Sequence, residues 1–214
     1  YNFEQTGNTL ENQIFNTEQG VVDKSTNSIT VTGTALGSWA DIVWDSSTTQ
    51  NMAISGTTLT GSGATWSPSA RSVDEWSVGT MPNFETEVTS GTREQFVAYD
   101  KGDTQISSPF NSADYALGIS GNTATVTENG VSMCTTANGC ATSITTGDKL
   151  SLSMDSDGVV TYLKNGVVYY TSTTPATGDY HIGGYTAGAP YGSLINNKIQ
   201  EYATGQPTSS SSLT

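Results

Sequence analysis

The 214-residue chain carries seven Lys and Arg against twenty Asp and Glu, a formal charge of −13 with an isoelectric point near 4.1. That balance excludes nucleic acid as a partner and disfavours anionic membrane surfaces, because either would set one polyanion against another. No stretch of eighteen apolar residues occurs, so no insertion into a membrane as a helix is expected. Thr and Ser together make up 62 residues, whereas Leu occurs only nine times. Strand-favouring Thr, Val, Tyr and Ile with few of the usual helix formers predict a nearly all-β chain. Hydroxyls and amides in place of charges as the source of solubility suit a protein that lives outside cells. The chain begins at Tyr1 without Met or an apolar leader, as a processed mature form or an excised piece would.

Taken in chain order, residues 1–28 hold scattered apolars and the acids Glu4, Glu11, Glu18 and Asp23 without clean periodicity. They are expected to be an N-terminal arm or edge strand. From residue 29 the pattern becomes strand, turn, strand. Short strands are predicted at 29–32 and 41–44, then a Ser-, Thr- and Gly-rich stretch at 45–80 that holds Trp66 and Trp76. In 83–88, Phe84, Thr86 and Val88 alternate with Glu85 and Glu87, the mark of a half-buried strand. Strands follow at 95–99, at 115–119 with Tyr115, Leu117 and Ile119 on one face, at 123–127, and at 150–154.

The sharpest local signal is Asn165-Gly166 between two β-rich runs, since a type I′ hairpin turn needs positive φ at both central residues. A two-residue turn there pairs Lys164 with Val167, Leu163 with Val168 and Tyr162 with Tyr169. The face with Thr161, Leu163, Val168 and Tyr170 is expected to be the core face because it has no charge; Tyr162, Lys164 and Tyr169 share the other. The last strands fall at 180–182 and 193–202. Some eleven short strands without a helical interlude predict two antiparallel sheets packed face to face over 29–204, followed by a Ser/Thr-rich tail at 205–214.

The order of these segments, Asn83-Phe84-Glu85-Thr86-Glu87-Val88, Phe96-Val97-Ala98-Tyr99, Asp114-Tyr115-Ala116-Leu117, Gly147-Asp148-Lys149-Leu150 and Val159 through Gly166, resembles a recurring secreted module. It is similar to the concanavalin A-like (laminin-G/SPRY-like) jelly-roll sandwiches of microbial and algal surface proteins, over about residues 80–199. The resemblance implies an all-β, two-sheet antiparallel jelly roll at a cell surface or in extracellular matrix. It implies no single activity, since the superfamily spans lectins, binding modules, adhesive domains and some glycan-cleaving enzymes.

Cys134 and Cys140 enclose five residues including Gly139, a spacing that can close a small disulfide loop in an oxidising compartment. No cofactor is required by any motif. Ca2+ is the one metal candidate, at Asp155 and Asp157 in Asp155-Ser156-Asp157-Gly158, although no Glu closes an EF-hand and Asp-Gly pairs are also ordinary turn chemistry. Glycan hydrolysis would need two carboxylates across a cleft; Glu85 and Glu87 lie only about 7 Å apart on one strand face. His181, the sole His, would have to serve any acid–base mechanism. A non-enzymatic role is therefore expected. Sugar recognition needs an aromatic face with amide or hydroxyl partners, and the loop residues Trp66, Trp76, Tyr185 and Tyr191 are the first candidates, with Tyr162 and Tyr169 as a strand platform. The expected partner is a glycan or cell-surface polysaccharide. The alternative is self-association into an extracellular filament or coat by exchange of the N-terminal arm.

Overall fold

The computed structural model describes residues 4–6, 9–11, 36–62, 68–89, 94–101, 113–186 and 192–202. The expected strand at 29–32 and the tail at 205–214 lie outside them. The chain forms two compact units, residues 39–199 and residues 1–38 with 200–214. In the smaller unit, β1 (Glu4–Thr6) pairs antiparallel with β2 (Thr9–Glu11), so these two arm strands satisfy each other. Leu36 bridges Tyr202, and Gly37 N–H donates to Glu201 O at 2.8 Å.

The larger unit begins with β3 (Ala40–Asp41), β4 (Met52–Ser55), β5 (Thr58–Gly61), β6 (Ser69–Arg71), β7 (Trp76–Ser77) and β8 (Asn83–Glu87). It continues with β9 (Glu94–Asp100), β10 (Tyr115–Ser120), β11 (Thr123–Glu128), β12 (Val131–Cys134), β13 (Thr142–Ser143) and β14 (Lys149–Met154). The last four strands are β15 (Val160–Lys164), β16 (Val167–Thr171), β17 (Asp179–Thr186) and β18 (Ser193–Gln200). One sheet runs β12-β11-β10-β9-β17-β6, with β13 on β11 and β7 on β17; the other runs β16-β15-β14-β8-β18-β5-β4, with β3 on β18. No helix occurs among the described residues.

Alternation decides what enters the space between the sheets. Tyr115, Leu117 and Ile119 of β10, Ala124 and Val126 of β11, Phe84 of β8, and Leu150, Leu152 and Met154 of β14 are all buried in one core. Each layer also sends polar groups across. Tyr99 Oη of β9 stands 2.8 Å from both Pro82 O and Leu152 O, so its one proton ties the first sheet to the backbone of the second.

The Asn-Gly hairpin forms as expected, with φ of 49° at Asn165 and 76° at Gly166. In β15 its faces are reversed from the expectation, whereas Tyr170 of β16 packs against the core as expected. Val160 and Tyr162 are fully buried, while Thr161 and Leu163 face outward and Val168 is 50% exposed. The charge of Lys164 does not force its row outward, because it ends the strand. Its Nζ reaches the rim, donating to Ser143 O at 2.7 Å and lying 3.1 Å from Asp148 Oδ2. Asn165 Nδ2 donates to the same carboxylate, and these contacts hold Asp148 well below the usual carboxylate range. A bulge after Tyr162 also shifts the pairing, so that Tyr170 rather than Tyr169 stands opposite Tyr162.

Gly158 turns β14 toward β15 with φ of 81°, and a Cβ there would lie 2.5 Å from Ala176 O and 3.0 Å from Ala176 N. Gly121, in the β10–β11 turn, also has positive φ but nothing within 4 Å of such a Cβ. Gly158→Ala is therefore expected to destabilise the domain by at least about 2 kcal/mol, against about 1 kcal/mol for Gly121→Ala. Urea unfolding midpoints of the two variants check the order.

Candidate functional site

The candidate aromatics separate sharply once placed. Trp66 and Tyr191 lie outside the described residues. Tyr162 is fully buried and Tyr185 is 4% exposed, so neither presents a ring face to a ligand in this structure. Tyr169, half-buried at the bulge, sets its ring 6.5 Å from that of Tyr162, with its hydroxyl buried and unpartnered. These three act first in packing. Trp76 is different: it is half-buried on the short strand β7, at one end of the sandwich.

That end is built where β17 starts and β9 stops. Trp76 stands opposite Tyr180 in the β7–β17 pair, and Asp179 stands opposite Ser77, whose Oγ donates to Asp179 Oδ1 at 2.5 Å. Lys101 Nζ lies 5.3 Å from the centroid of the Tyr180 ring, a cation–π distance. The backbone N–H of Lys101 donates to Asp114 Oδ2 at 2.9 Å. Tyr115 and Tyr180 meet edge to face with centroids 6.1 Å apart. The Tyr115 hydroxyl donates to Thr174 O at 3.0 Å, and the Tyr180 hydroxyl lies 3.2 Å from Thr177 N and O. Trp76 thus shares the inward side of the β7–β17 pair with Tyr180 and packs partly against the core, while Ser77 and Asp179 share the opposite side and Lys101 with Asp114 lies at the same end.

The outer face of the same sheet holds a second buried cluster. Phe96 and Ala98 of β9, Ala113, Ala116 of β10 and Tyr185 of β17 point away from the main core. Tyr185 Oη donates to Asp100 Oδ2 at 2.8 Å, both groups being buried. Phe96-Val97-Ala98-Tyr99 is apolar on both rows, the sign of a strand covered on both faces, so this second layer had a signal in the sequence. By contrast, the outward row of β8 is solvated and paired: Glu85 receives Lys149 Nζ at 2.8 Å, and Glu87 receives Asn196 Nδ2 at 2.7 Å.

The remaining candidates have local partners. His181 Nδ1 lies 2.9 Å from Asp74 O and its Nε2 lies 3.7 Å from Glu75 Oε1. Asp155 Oδ1 accepts from the backbone N–H groups of Asp157 at 2.9 Å and Val159 at 2.8 Å, the geometry of an Asx turn. No group of three His, Cys, Asp or Glu suited to a metal gathers among the described residues. Cys134 and Cys140 form a disulfide with Cα atoms 5.2 Å apart.

Burial dominates the tyrosine electrostatics. It pushes Tyr115 up to about 12, with Tyr180, Glu128 and Asp114 adding to the rise, and it holds Tyr162 and Tyr185 well above the ordinary phenol range. A phenol raised in the folded state contributes stability below its unfolded value near 10 and loses it as pH climbs through the folded value. Absorbance at 295 nm is therefore expected to show these tyrosines ionising only together with loss of the β-sheet circular dichroism signal, above pH 10. Ionisation of all ten tyrosines near pH 10 with the sheet intact would contradict this burial.

No protein-family model matches the sequence, and no curated protein matches it. Solved structures do match in fold. The SPRY domain of human HERC1 is 14% identical with a TM-score of 0.50, the match covering 76% of this chain and 99% of that one. The TRIM65 PSpry domain is 11% identical with a TM-score of 0.51, covering 75% and 89%. The exoplasmic/lumenal domain of VIP36, in its Ca2+/Man3GlcNAc-bound form, is 10% identical with a TM-score of 0.50, covering 77% and 85%. At such identities the likeness concerns architecture alone, and it makes this sandwich a concanavalin A-like jelly roll.

Proposed function

We propose that this domain is a lectin-like module that binds neutral glycan at the Trp76–Tyr180 end of the sandwich and does not cleave it. The observation that carries the reading is Trp76 itself, a candidate aromatic that is only half-buried where it packs beside Tyr180 at one end of the sandwich. An aromatic face stacks on the apolar side of a pyranose, while Asp114 and Lys101 at the same end offer an acceptor and a donor for its hydroxyls. The acids at this end and the charge of −13 favour uncharged sugars over uronates or sialosides. VIP36, which shares the architecture, is known in a form that holds Man3GlcNAc. The disulfide supports an oxidising compartment, and with the hydroxyl-rich composition it favours a cell-surface or matrix location.

The carboxylates support binding over cleavage: Glu85 and Glu87 share one strand, and each is engaged by a neighbour. His181 is held by Asp74 and Glu75 instead of being presented to a substrate.

Glycan-array binding followed by calorimetry tests the reading. Trp76→Ala is expected to weaken affinity at least tenfold, and Tyr185→Phe to leave it unchanged because that ring is covered. Loss of binding in Trp66→Ala or Tyr191→Ala with Trp76→Ala intact would move the site elsewhere on the domain. Release of reducing ends from a polysaccharide, abolished by Glu85→Gln, would overturn the non-enzymatic reading. Concentration-dependent polymers that disappear on deletion of residues 1–22 would favour the assembling alternative.

A further inference from the structure

Glu128 ends the inward row of β11 after Ala124 and Val126, and it is 4% exposed. Its Oε1 accepts from Tyr162 Oη at 3.1 Å, and its Oε2 accepts from Ser172 Oγ at 3.0 Å. Glu128 and Tyr162 belong to different sheets, so this carboxyl is a polar tie between the layers. Ser172 Oγ is in addition 2.9 Å from Thr174 O and accepts from Thr174 N–H at 3.2 Å. Thr174 O in turn receives the Tyr115 hydroxyl.

The surroundings offer no counter-charge. The titratable groups that feel Glu128 are Tyr115 from β10, Tyr162 from β15 and Tyr170 from β16. Tyr180 of β17 stands behind Tyr115, Asp114 precedes it, and β12 brings no ionisable side chain to the pair. No Lys, Arg or His pairs with Glu128 among the described residues. A buried carboxylate held only by hydroxyls gains less from ionisation than an exposed one does.

We propose that Glu128 is a proton-operated latch between the two sheets, whose protonation reverses its hydrogen bond with Ser172. With the carboxylate ionised, the Ser172 hydroxyl donates to Oε2. With the carboxyl protonated, its O–H donates to Ser172 Oγ, and the Ser172 hydrogen turns to Thr174 O. One proton is taken up from solvent, no bond between heavy atoms changes, and every hydroxyl keeps a partner in both states. The neutral state removes a charge from the core, so it holds β11, β15 and the 172–174 turn together more firmly.

Burial raises the Glu128 carboxyl above its ordinary value, with the Ser172 and Tyr162 hydrogen bonds opposing that rise. For an acid raised in the folded state, the stabilisation is complete below the unfolded value of about 4.5 and is lost as pH rises through the folded value. The dependence runs opposite to that of Asp148, whose lowered pKa contributes stability above the ordinary aspartate range and loses it in acid.

The test is thermal unfolding from pH 4 to pH 8 of the full chain and of Glu128→Gln. Glutamine keeps the shape and imitates the protonated state, donating to Ser172 and accepting from Tyr162. Equal Tm values near pH 4 are expected to separate as pH rises, with the variant about 2–4 °C more stable at pH 8. A gap that is the same at every pH, or of opposite sign, overturns the proposal. Should the variant not fold, the carboxyl-carbon resonance of Glu128 in the unaltered chain gives the same answer. Its midpoint is expected above those of exposed glutamates and higher still in Ser172→Ala, which loses a hydrogen bond to the charged form; a midpoint in the ordinary range overturns it.

Discussion

Stacking two sheets across a tyrosine-rich interior depends on one requirement, that the hydroxyls of the fully buried Tyr99, Tyr162 and Tyr180 find acceptors there. Tyr99 reaches from β9 to carbonyls at Pro82 and Leu152, and Tyr162 reaches from β15 to Glu128 on β11. Tyr115 and Tyr180 turn theirs to the loop at Thr174 and Thr177. These contacts cost more to break than an aliphatic contact of equal area, because the orphaned group would remain buried. They therefore fix the registration of one layer on the other, where leucine and valine contacts alone would tolerate sliding.

The same requirement shapes the end of the sandwich around Trp76. The loop carbonyls that satisfy Tyr115 and Tyr180 also hold those two rings edge to face, and Trp76 on β7 stands beside Tyr180 in the β7–β17 pair. The indole is thus carried on strand backbone, while the acids and Lys101 sit where strands end and water remains. The Thr174 carbonyl accepts from Tyr115 and lies 2.9 Å from Ser172 Oγ, so the Glu128 tie and this end of the sandwich share it.

The sheets differ in what they show on their outer faces. The β8–β14 face carries the paired ions Glu85 and Lys149 and is solvated, whereas the β9–β10–β17 face is apolar and buried, with the Tyr185–Asp100 hydrogen bond inside it. Such asymmetry follows from the double apolar row in β9 and the single one in β8. It separates a wall that meets water from a wall that is covered.

Local spacing in the sequence was enough to establish the two-sheet class and the positions of most strands from β8 to β18, because a period of two in a half-buried strand is a direct record of burial. The Asn165-Gly166 turn was equally legible, since few residue pairs accept positive φ twice. The cysteine pair was legible from its short loop. What the sequence left undecided was which face of the hairpin is buried: Lys164 at a strand end can carry its charge to the rim at Ser143 and Asp148, and only the placement of β13 and β14 supplies that rim. Tyr162 and Tyr185 read equally as ligand platforms or as core, and only the packing of the layers made them interior. Glu128 stood third in an apolar row from the start, but its partners Tyr162 and Ser172 lie 34 and 44 residues away. Alternation records how one strand divides its side chains, and only tertiary structure decides which distant hydroxyl meets which acid.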